Sequence, residues 1–329
     1  MSLIRFHDHD TVLITGGCGA IGSVLINYLK DKYQGTLFVN YDMLTYCGKE
    51  ENIKPPYNNY SFYKGDISDS NMVKYVLEKT KPTLVIHLAA ETHVDQSFGN
   101  SLLFTRTNIY GTHVLLESLK EYGKCKLLIH MSTDEVYGSV NNDEICTEDS
   151  LFSPSNPYAA TKAAAELICH SYIKSFNLPI IITRCNNVIS PFQHNEKLIP
   201  QCIECLTKNK KIKIHGDGSS RRTFIDSLDI AKAIELIAIN GLIGKIYNIG
   251  TNESKNMEYT VIEVVEKIAT ILDIKQKNIN DLIEYIPDRV FQDYRYSIDS
   301  SKLRNLGWNN EVSFQEAVYK VFVEKSNNI

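Results

Sequence analysis

The feature that most constrains this chain is Thr15-Gly16-Gly17-Cys18-Gly19-Ala20-Ile21-Gly22, set between a β-rich run, Thr11 to Thr15, and a helical pattern, Ile21 to Asp31. Glycines placed there let the backbone turn tightly and admit a pyrophosphate to a helix N-terminus, whose N–H groups and dipole favour anions. Glycine patterns alone arise by chance, so the surroundings decide. Here a strand precedes, a helix follows, and Asp42 closes a second β-rich run about twenty residues beyond the last glycine. The combination predicts a dinucleotide site, with Gly16, Gly19, Ala20, Ile21 and Gly22 at the pyrophosphate and Asp42 on a ribose 2′-hydroxyl. A carboxylate at that position repels the extra phosphate of NADP, so the expected cofactor is NAD.

Further β-rich runs at Thr36 to Asp42, Tyr60 to Asp66, Leu84 to Leu88, Leu127 to Ser132 and Ile180 to Arg184 alternate with helical spacing. The helical stretches are Asn71 to Lys79, Ser101 to Glu121 and Tyr158 to Phe176, and such alternation predicts a parallel sheet covered on both faces. The expected fold is therefore α/β, a Rossmann-type doubly wound parallel sheet. With 329 residues the chain exceeds a simple domain, and the alternation fails after Arg184. We expect an NAD-binding domain over 1–184, to which the chain returns around 223–250, and a smaller substrate-binding lobe made mainly from 185–329. Tyr46 to Tyr60 and Ser139 to Pro157 read as surface loops, while Gly216 to Ser220 and Asp273 to Asn280 separate the shorter elements of the lobe.

Composition excludes several classes of partner. A net charge of -4 argues against a nucleic-acid surface, which needs a basic stripe. No apolar run is long enough to span a membrane, and Arg5, Asp8 and Asp10 interrupt the segment where a secretory signal would place its apolar core. The eight cysteines are scattered, so reduced thiols in a cytoplasmic protein are expected. Cys202 and Cys205 form a C-x-x-C without a second pair to complete a metal site, and no metal is expected.

Several candidates fall at strand ends, where doubly wound sheets bind their ligands. Asp66 and Ile67 are placed to hold adenine, and Leu88-Ala89-Ala90 gives small side chains for close approach to a cofactor. Tyr158 and Lys162 lie one helical turn apart. Isolated, that pair is usually a surface feature; downstream of a dinucleotide site it suggests a phenol acting as base. Bringing a phenol from about 10 to neutrality costs about 4 kcal/mol, and one cation at about 4 Å supplies a comparable amount at moderate dielectric. Lys162 and a cationic nicotinamide are expected to do so for Tyr158. Asp134 and Glu135 end the fifth strand, and since neighbouring strand residues point to opposite faces, both reach one ligand only if the backbone leaves extended geometry.

These motifs resemble the extended short-chain dehydrogenase/reductase superfamily, and Ser132-Thr-Asp-Glu-Val-Tyr-Gly138 resembles its nucleotide-sugar 4,6-dehydratases. Leu88-Ala-Ala-Glu-Thr-His-Val-Asp95, Ser97-Phe-Gly-Asn-Ser101, Asn108-Ile-Tyr-Gly-Thr-His-Val-Leu-Leu-Glu117 and Glu196-Lys-Leu-Ile-Pro200 look closest to the UDP-glucose 4,6-dehydratase module of rhamnose synthases, with dTDP-glucose enzymes second. The resemblance implies that Tyr158 oxidises glucose C4, with Thr133 binding the hydroxyl and Lys162 the cofactor ribose. Glu135 then removes the C5 proton, Asp134 protonates the departing C6 hydroxyl, and the stored hydride returns to C6. It also implies a cofactor contact at Thr107. Nucleotide contacts carry over to Asn187, Glu196, Lys197, Leu198, Arg222, Asn248, Arg289 and Tyr296. The implied assembly is a homodimer formed through the helices Ser101–Glu121 and Tyr158–Phe176.

The chain departs from the family pattern at Ala20, where an aromatic is common, at Val188-Ile-Ser-Pro191, where Tyr-Gly-Pro is usual, and at Asn195, where Pro is typical. Other chemistry on the same scaffold, C4 epimerisation or uronic-acid decarboxylation, is opposed by Asp134, which neither reaction needs. A non-catalytic dinucleotide sensor would be expected to lack an intact Tyr158, Lys162, Asp134 and Glu135.

Overall fold

The computed structural model describes residues 10–141, 143–251, 257–274 and 278–327. Arg5, Asp8 and part of the Asp273–Asn280 separator lie outside the described residues. In the first half, β1 (Thr11–Thr15), α1 (Ala20–Lys32), β2 (Leu37–Asp42), β3 (Tyr60–Lys64), α2 (Ser70–Thr80) and β4 (Leu84–His87) follow in order. Short helices α3 (Val94–Gly99) and α4 (Ser101–Phe104) lead through a π-helical stretch, Thr105–Tyr110, into α5 (Gly111–Tyr122). Then come β5 (Leu127–Thr133), α6 (Pro157–Phe176) and β6 (Ile180–Cys185).

These strands form one parallel sheet in the order β6-β5-β4-β1-β2-β3. Their near-continuous apolar runs are what a sheet covered on both faces requires. Val12 and Ile14 turn to one face, against Leu25 and Ile26 of α1. Leu13 turns to the other, among Val76 of α2, Leu115 of α5 and Tyr172 of α6. The order reverses between β1 and β4, which opens a crevice at their carboxyl ends.

Beyond Cys185 the elements are β7 (Asn187–Ile189), α7 (Leu198–Thr207), β8 (Ile212–His215), β9 (Arg221–Asp226), α8 (Ser227–Asn240) and β10 (Ile246–Ile249). They are followed by β11 (Glu258–Thr260), α9 (Val261–Ile271), β12 (Ile283–Ile286), α10 (Ser301–Arg304) and α11 (Phe314–Asn327). The chain rejoins the large sheet at β10, a seventh parallel strand beside β6, and Ile234 and Ile237 of α8 pack in the same core cluster as α1. Two smaller sheets, β11-β9-β7 and β12-β8, share a separate core with α7, α9 and α11, built around Ile203, Val264, Ile268 and Val318. Among the described residues, no helix is long and apolar enough to cross a membrane. None of their His, Cys, Asp and Glu side chains cluster in threes that could hold a metal.

One buried ion pair ties this frame together. Glu166 of α6 takes Arg184 of β6 at 2.7–3.1 Å, and both side chains are almost wholly out of water. Arg184 also donates to the Tyr137 hydroxyl (2.7 Å), which donates to Asn248 Oδ1 (2.8 Å). Removing one partner leaves the other charge buried and uncompensated, at about 3–5 kcal/mol, whereas replacing both by apolar groups is far less costly. Glu166→Ala is therefore expected to lower stability to urea by about 3–5 kcal/mol, and a double Glu166→Met, Arg184→Leu variant by much less. Equal losses in the two proteins would show that the pair is not what holds α6 to β6.

Candidate active site

At the crevice the structure has a cleft of about 340 Å³. The glycine turn forms its floor. Gly16 has φ +73°, and a Cβ there would lie 2.6 Å from the Ala89 nitrogen, so the loop can press against the end of β4 only with glycine. The Asp42 carboxylate is oriented from this loop, accepting from the backbone of Cys18 (2.9 Å) and Leu44 (2.8 Å). Asp66 accepts from the Ser68 backbone at 2.8 Å. Asp66 and Ile67, Leu88, Ala89 and Ala90, and Thr107 on the π-helical stretch all face the same cleft, with Gly19, Ala20, Ile21 and Gly22. Two of the departures from the family pattern meet: the buried Ser190 hydroxyl donates to the Ala20 carbonyl at 2.8 Å and so ties β7 to the glycine turn.

The reactive end is built by β5 and α6. Asn156 caps α6 by accepting from the Ala159 backbone at 2.9 Å, with Pro157 starting the helix. Tyr158 and Lys162 lie in the first two turns, both buried and both lining the cleft. The Lys162 ammonium donates to the Met131 carbonyl at 2.7 Å, which fastens α6 to β5. Burial lowers Lys162 to about 8.

The lowering expected for Tyr158 calls on two charges, Lys162 and a cationic nicotinamide, and the side chains around the phenol work against it. Burial, and then the Glu135 carboxyl, hold this phenol well above 10, opposed by the Thr133 hydroxyl. The Asp134 carboxyl adds to the same upward push, which leaves the cationic nicotinamide a share of the lowering to supply.

That acid pair sits where the strand ends. Thr133 is still extended, and the chain then turns into a single 3₁₀ helix, Asp134–Tyr137, closed by Gly138 at φ +75°. The turn breaks strand alternation, so Thr133, Asp134 and Glu135 all line the cleft with Tyr158. Each carboxyl is held by an amide. Asn186 donates to Asp134 Oδ2 at 2.8 Å, and Asn156, the cap of α6, donates to Glu135 Oε2 at 3.1 Å. Burial pushes Asp134 up to about 7, aided by Glu135 and opposed by Asn186. Glu135 is also raised by burial, against the pull of Asn156 and Arg222.

Residues expected to meet a nucleotide are only partly gathered. Asn187, Glu196, Lys197 and Leu198 line the cleft. Asn187 carries a buried Oδ1 without a partner, and Lys197 donates to the Thr92 carbonyl at 2.9 Å. Arg222 and Tyr296 stack at 4.9 Å beside Glu135, whose Oε2 lies 3.3 Å from the Tyr296 hydroxyl. Arg289 is paired with Asp95 at 2.6 Å. Asn248 is not brought to the cleft. Its amide is taken up in the core by Tyr137 and by the carbonyls of Asp299 and Cys146. Sequence reasoning missed Asn156 and Asn186, since neither belongs to a motif that signals chemistry.

Comparison with known proteins bears out the nucleotide-sugar 4,6-dehydratase class, with dTDP-glucose and UDP-glucose enzymes both among the relatives. The GDP-mannose 4,6 dehydratase family matches residues 13–321. The chain is 42% identical to a dTDP-D-glucose 4,6-dehydratase of Dictyostelium discoideum, over 96% of this chain and 82% of that one. It is also 42% identical to a trifunctional UDP-glucose 4,6-dehydratase/3,5-epimerase/reductase of Arabidopsis thaliana, over 94% of this chain but 46% of that protein. DesIV, a dTDP-glucose 4,6-dehydratase of Streptomyces venezuelae solved with NAD bound, superposes with a TM-score of 0.89 at 33% identity, covering 97% of both chains.

The glycine turn gives a direct test. Gly16→Ala is expected to weaken NAD binding about 5- to 150-fold in calorimetry, because strain of about 1–3 kcal/mol falls on the loop. Gly99→Ala, whose added Cβ would meet nothing within 4 Å, serves as the control. Equal affinities in the two variants would contradict the assignment of this loop.

Proposed function

Because the chain belongs to the GDP-mannose 4,6 dehydratase family and is an NAD-dependent nucleotide-sugar 4,6-dehydratase, we propose that it converts a nucleotide-glucose to the 4-keto-6-deoxy sugar, with UDP-glucose preferred over dTDP-glucose. The observation that carries the reading is the turn at Asp134–Tyr137, which brings a buried and a half-buried carboxyl into the cleft with Tyr158. An oxidoreductase acting at C4 alone needs no such pair. The preference for uridine rests on the segments Leu88–Asp95 and Glu196–Pro200, which resemble the rhamnose-synthase module.

Gly16, Gly19, Ala20, Ile21, Gly22, Asp42, Asp66, Ile67, Leu88, Ala89, Ala90 and Thr107 would hold NAD, which when bound takes a hydride from the sugar and later gives it back. In our reading Thr133 binds the C4 hydroxyl, and Tyr158, as the phenolate that Lys162 and the positive charge of a bound nicotinamide would together favour, accepts its proton as the C4–H bond breaks. The C4 carbonyl acidifies the neighbouring C5–H. Glu135, made more basic than an ordinary carboxylate by burial, removes that proton, and Asp134 gives its own to the C6 hydroxyl, which leaves as water. With the hydride that bound NAD would give back placed on C6, Glu135 would return a proton to C5. The proton taken by Tyr158 balances the one lost from Asp134, so one water leaves and the sugar's oxidation level is redistributed.

Two carboxyls can share this work because their surroundings differ. Asp134, raised to about 7, keeps a proton to give near neutrality. Asn187, Glu196, Lys197 and Leu198 would contact the sugar nucleotide, with Arg222, Arg289 and Tyr296 at its diphosphate end, Arg289 exchanging Asp95 for phosphate. A homodimer through α4 to α6 is part of the proposal, supported by exposed Leu102, Tyr110, Leu167 and Phe176 on those helices.

Incubation with UDP-glucose or dTDP-glucose in deuterated water, followed by NMR and mass spectrometry, tests the reading. The expected product has lost one water and carries deuterium at C5, with the higher kcat/KM for UDP-glucose. Asp134→Asn should lower turnover about 100-fold or more, the scale of a positioned general acid, while reduced cofactor still forms. Because the acid must be protonated, turnover should fall as pH rises through about 7; because the base must be ionised, it should also fall in acid. A wild-type-like rate in Asp134→Asn, or an epimerised sugar without loss of water, would refute the proposal.

A further inference from the structure

Asn186 stands between β6 and β7, with 2% of its surface exposed. Its backbone nitrogen donates to the Ile249 carbonyl at 3.2 Å, which fixes the residue beside β10. A Cβ on Gly250 would fall 2.7 Å from Asn186 Oδ1, so the bare glycine leaves the room in which the amide oxygen rests. The other end of the amide is thereby aimed at Asp134, donating to Oδ2 at 2.8 Å.

An amide N–H can donate but not accept, so Oδ2 of Asp134 is committed as an acceptor. The transferable proton is then confined to Oδ1. That oxygen lies 3.2 Å from the Thr133 hydroxyl, which can accept from a protonated acid as well as donate to an ionised one. When the proton leaves, the Asn186 contact becomes a hydrogen bond to a charged group, roughly twice as strong as a neutral one. Only interactions that strengthen toward the transition state accelerate a step.

We propose that Asn186 is a positioning residue for the elimination: its amide reserves Oδ1 of Asp134 for the transferable proton and steadies the carboxylate left behind. The inference rests on the reading of Asp134 as the acid. The other groups facing Asp134 are Glu135 on the same turn, Arg222 on β9, Tyr158 on α6, Cys185 on β6 and Cys146 in the loop before α6. Of these Arg222 favours the carboxylate and Glu135 opposes it, while burial opposes it most. Asn186 is the direct amide donor to the carboxyl, so its removal should move the acid's titration upward.

The test uses the NAD-loaded enzyme and three variants, Asn186→Ala, Asn186→Ser and Asp134→Asn. The Asp134 carboxyl carbon is followed by NMR against pH and identified by its loss in Asp134→Asn. In Asn186→Ala the midpoint is expected to rise by about one pH unit, the equivalent of a hydrogen bond to a charged group. Dehydration should slow about tenfold with KM little changed, C4 oxidation should keep its rate, and the alkaline limb of the pH profile should move with the NMR midpoint. Asn186→Ser, which keeps a donor, should recover part of both effects. An unmoved midpoint in Asn186→Ala and Asn186→Ser would overturn the proposal, as would equal slowing of C4 oxidation and elimination. Undiminished elimination in Asp134→Asn would instead remove the acid assignment and this proposal with it, a result distinguishable from failure of Asn186 alone.

Discussion

Two neighbouring carboxyls can be aimed at one ligand only if the strand that delivers them stops being a strand between the last extended residue and the first acid. In this protein the stop is the 3₁₀ turn Asp134–Tyr137, and Gly138 makes it possible. At φ +75°, with the Ser153 carbonyl 2.2 Å from where a Cβ would sit, position 138 accepts glycine alone. The turn gathers Thr133, Asp134 and Glu135 beside Tyr158, and the chemistry assigned to the cleft follows from that geometry.

Burial works in two directions around this turn. It raises both carboxyls and so supplies a proton donor near neutrality, but it also makes every unpaired polar group costly. The structure meets that cost locally. Asn156 serves twice, capping the helix that carries Tyr158 and Lys162 while holding Glu135. Asn186 holds Asp134. Beneath them the run Glu166, Arg184, Tyr137, Asn248 crosses from α6 through β6 to β10, so the turn is braced against the same sheet that positions the glycine loop. Lys162 belongs to this bracing as much as to the site, since its contact with the Met131 carbonyl holds α6 against β5.

Much of this was legible in the sequence because parallel strands write themselves as short apolar runs and because ligands gather at their carboxyl ends. Thr11–Thr15 is the observed β1, and Gly16, Asp42, Ala89, Tyr158 and Asp134 all line the one cleft. The break in alternation at Asp134 was required by the two acids themselves. What escaped were contacts that depend on distant segments meeting. Asn156 and Asn186 are anonymous polar residues until α6 and β6 bring them to the acids. Asn248 matches a nucleotide-binding pattern, yet its amide is consumed by Tyr137 and two carbonyls in the core. Spacing put Tyr158 and Lys162 on one helix face, but it did not reveal that a carbonyl of β5 would hold the ammonium.

The central claim is that one cleft oxidises C4 and reduces C6 of the same hexose without releasing the hydride. It is tested most directly with nucleotide-glucose carrying deuterium at C4, turned over once by the NAD-loaded enzyme and analysed by NMR. The account predicts deuterium on the C6 methyl of the product and none in the solvent. Label left at C4, or released on reduced cofactor free in solution, would contradict it.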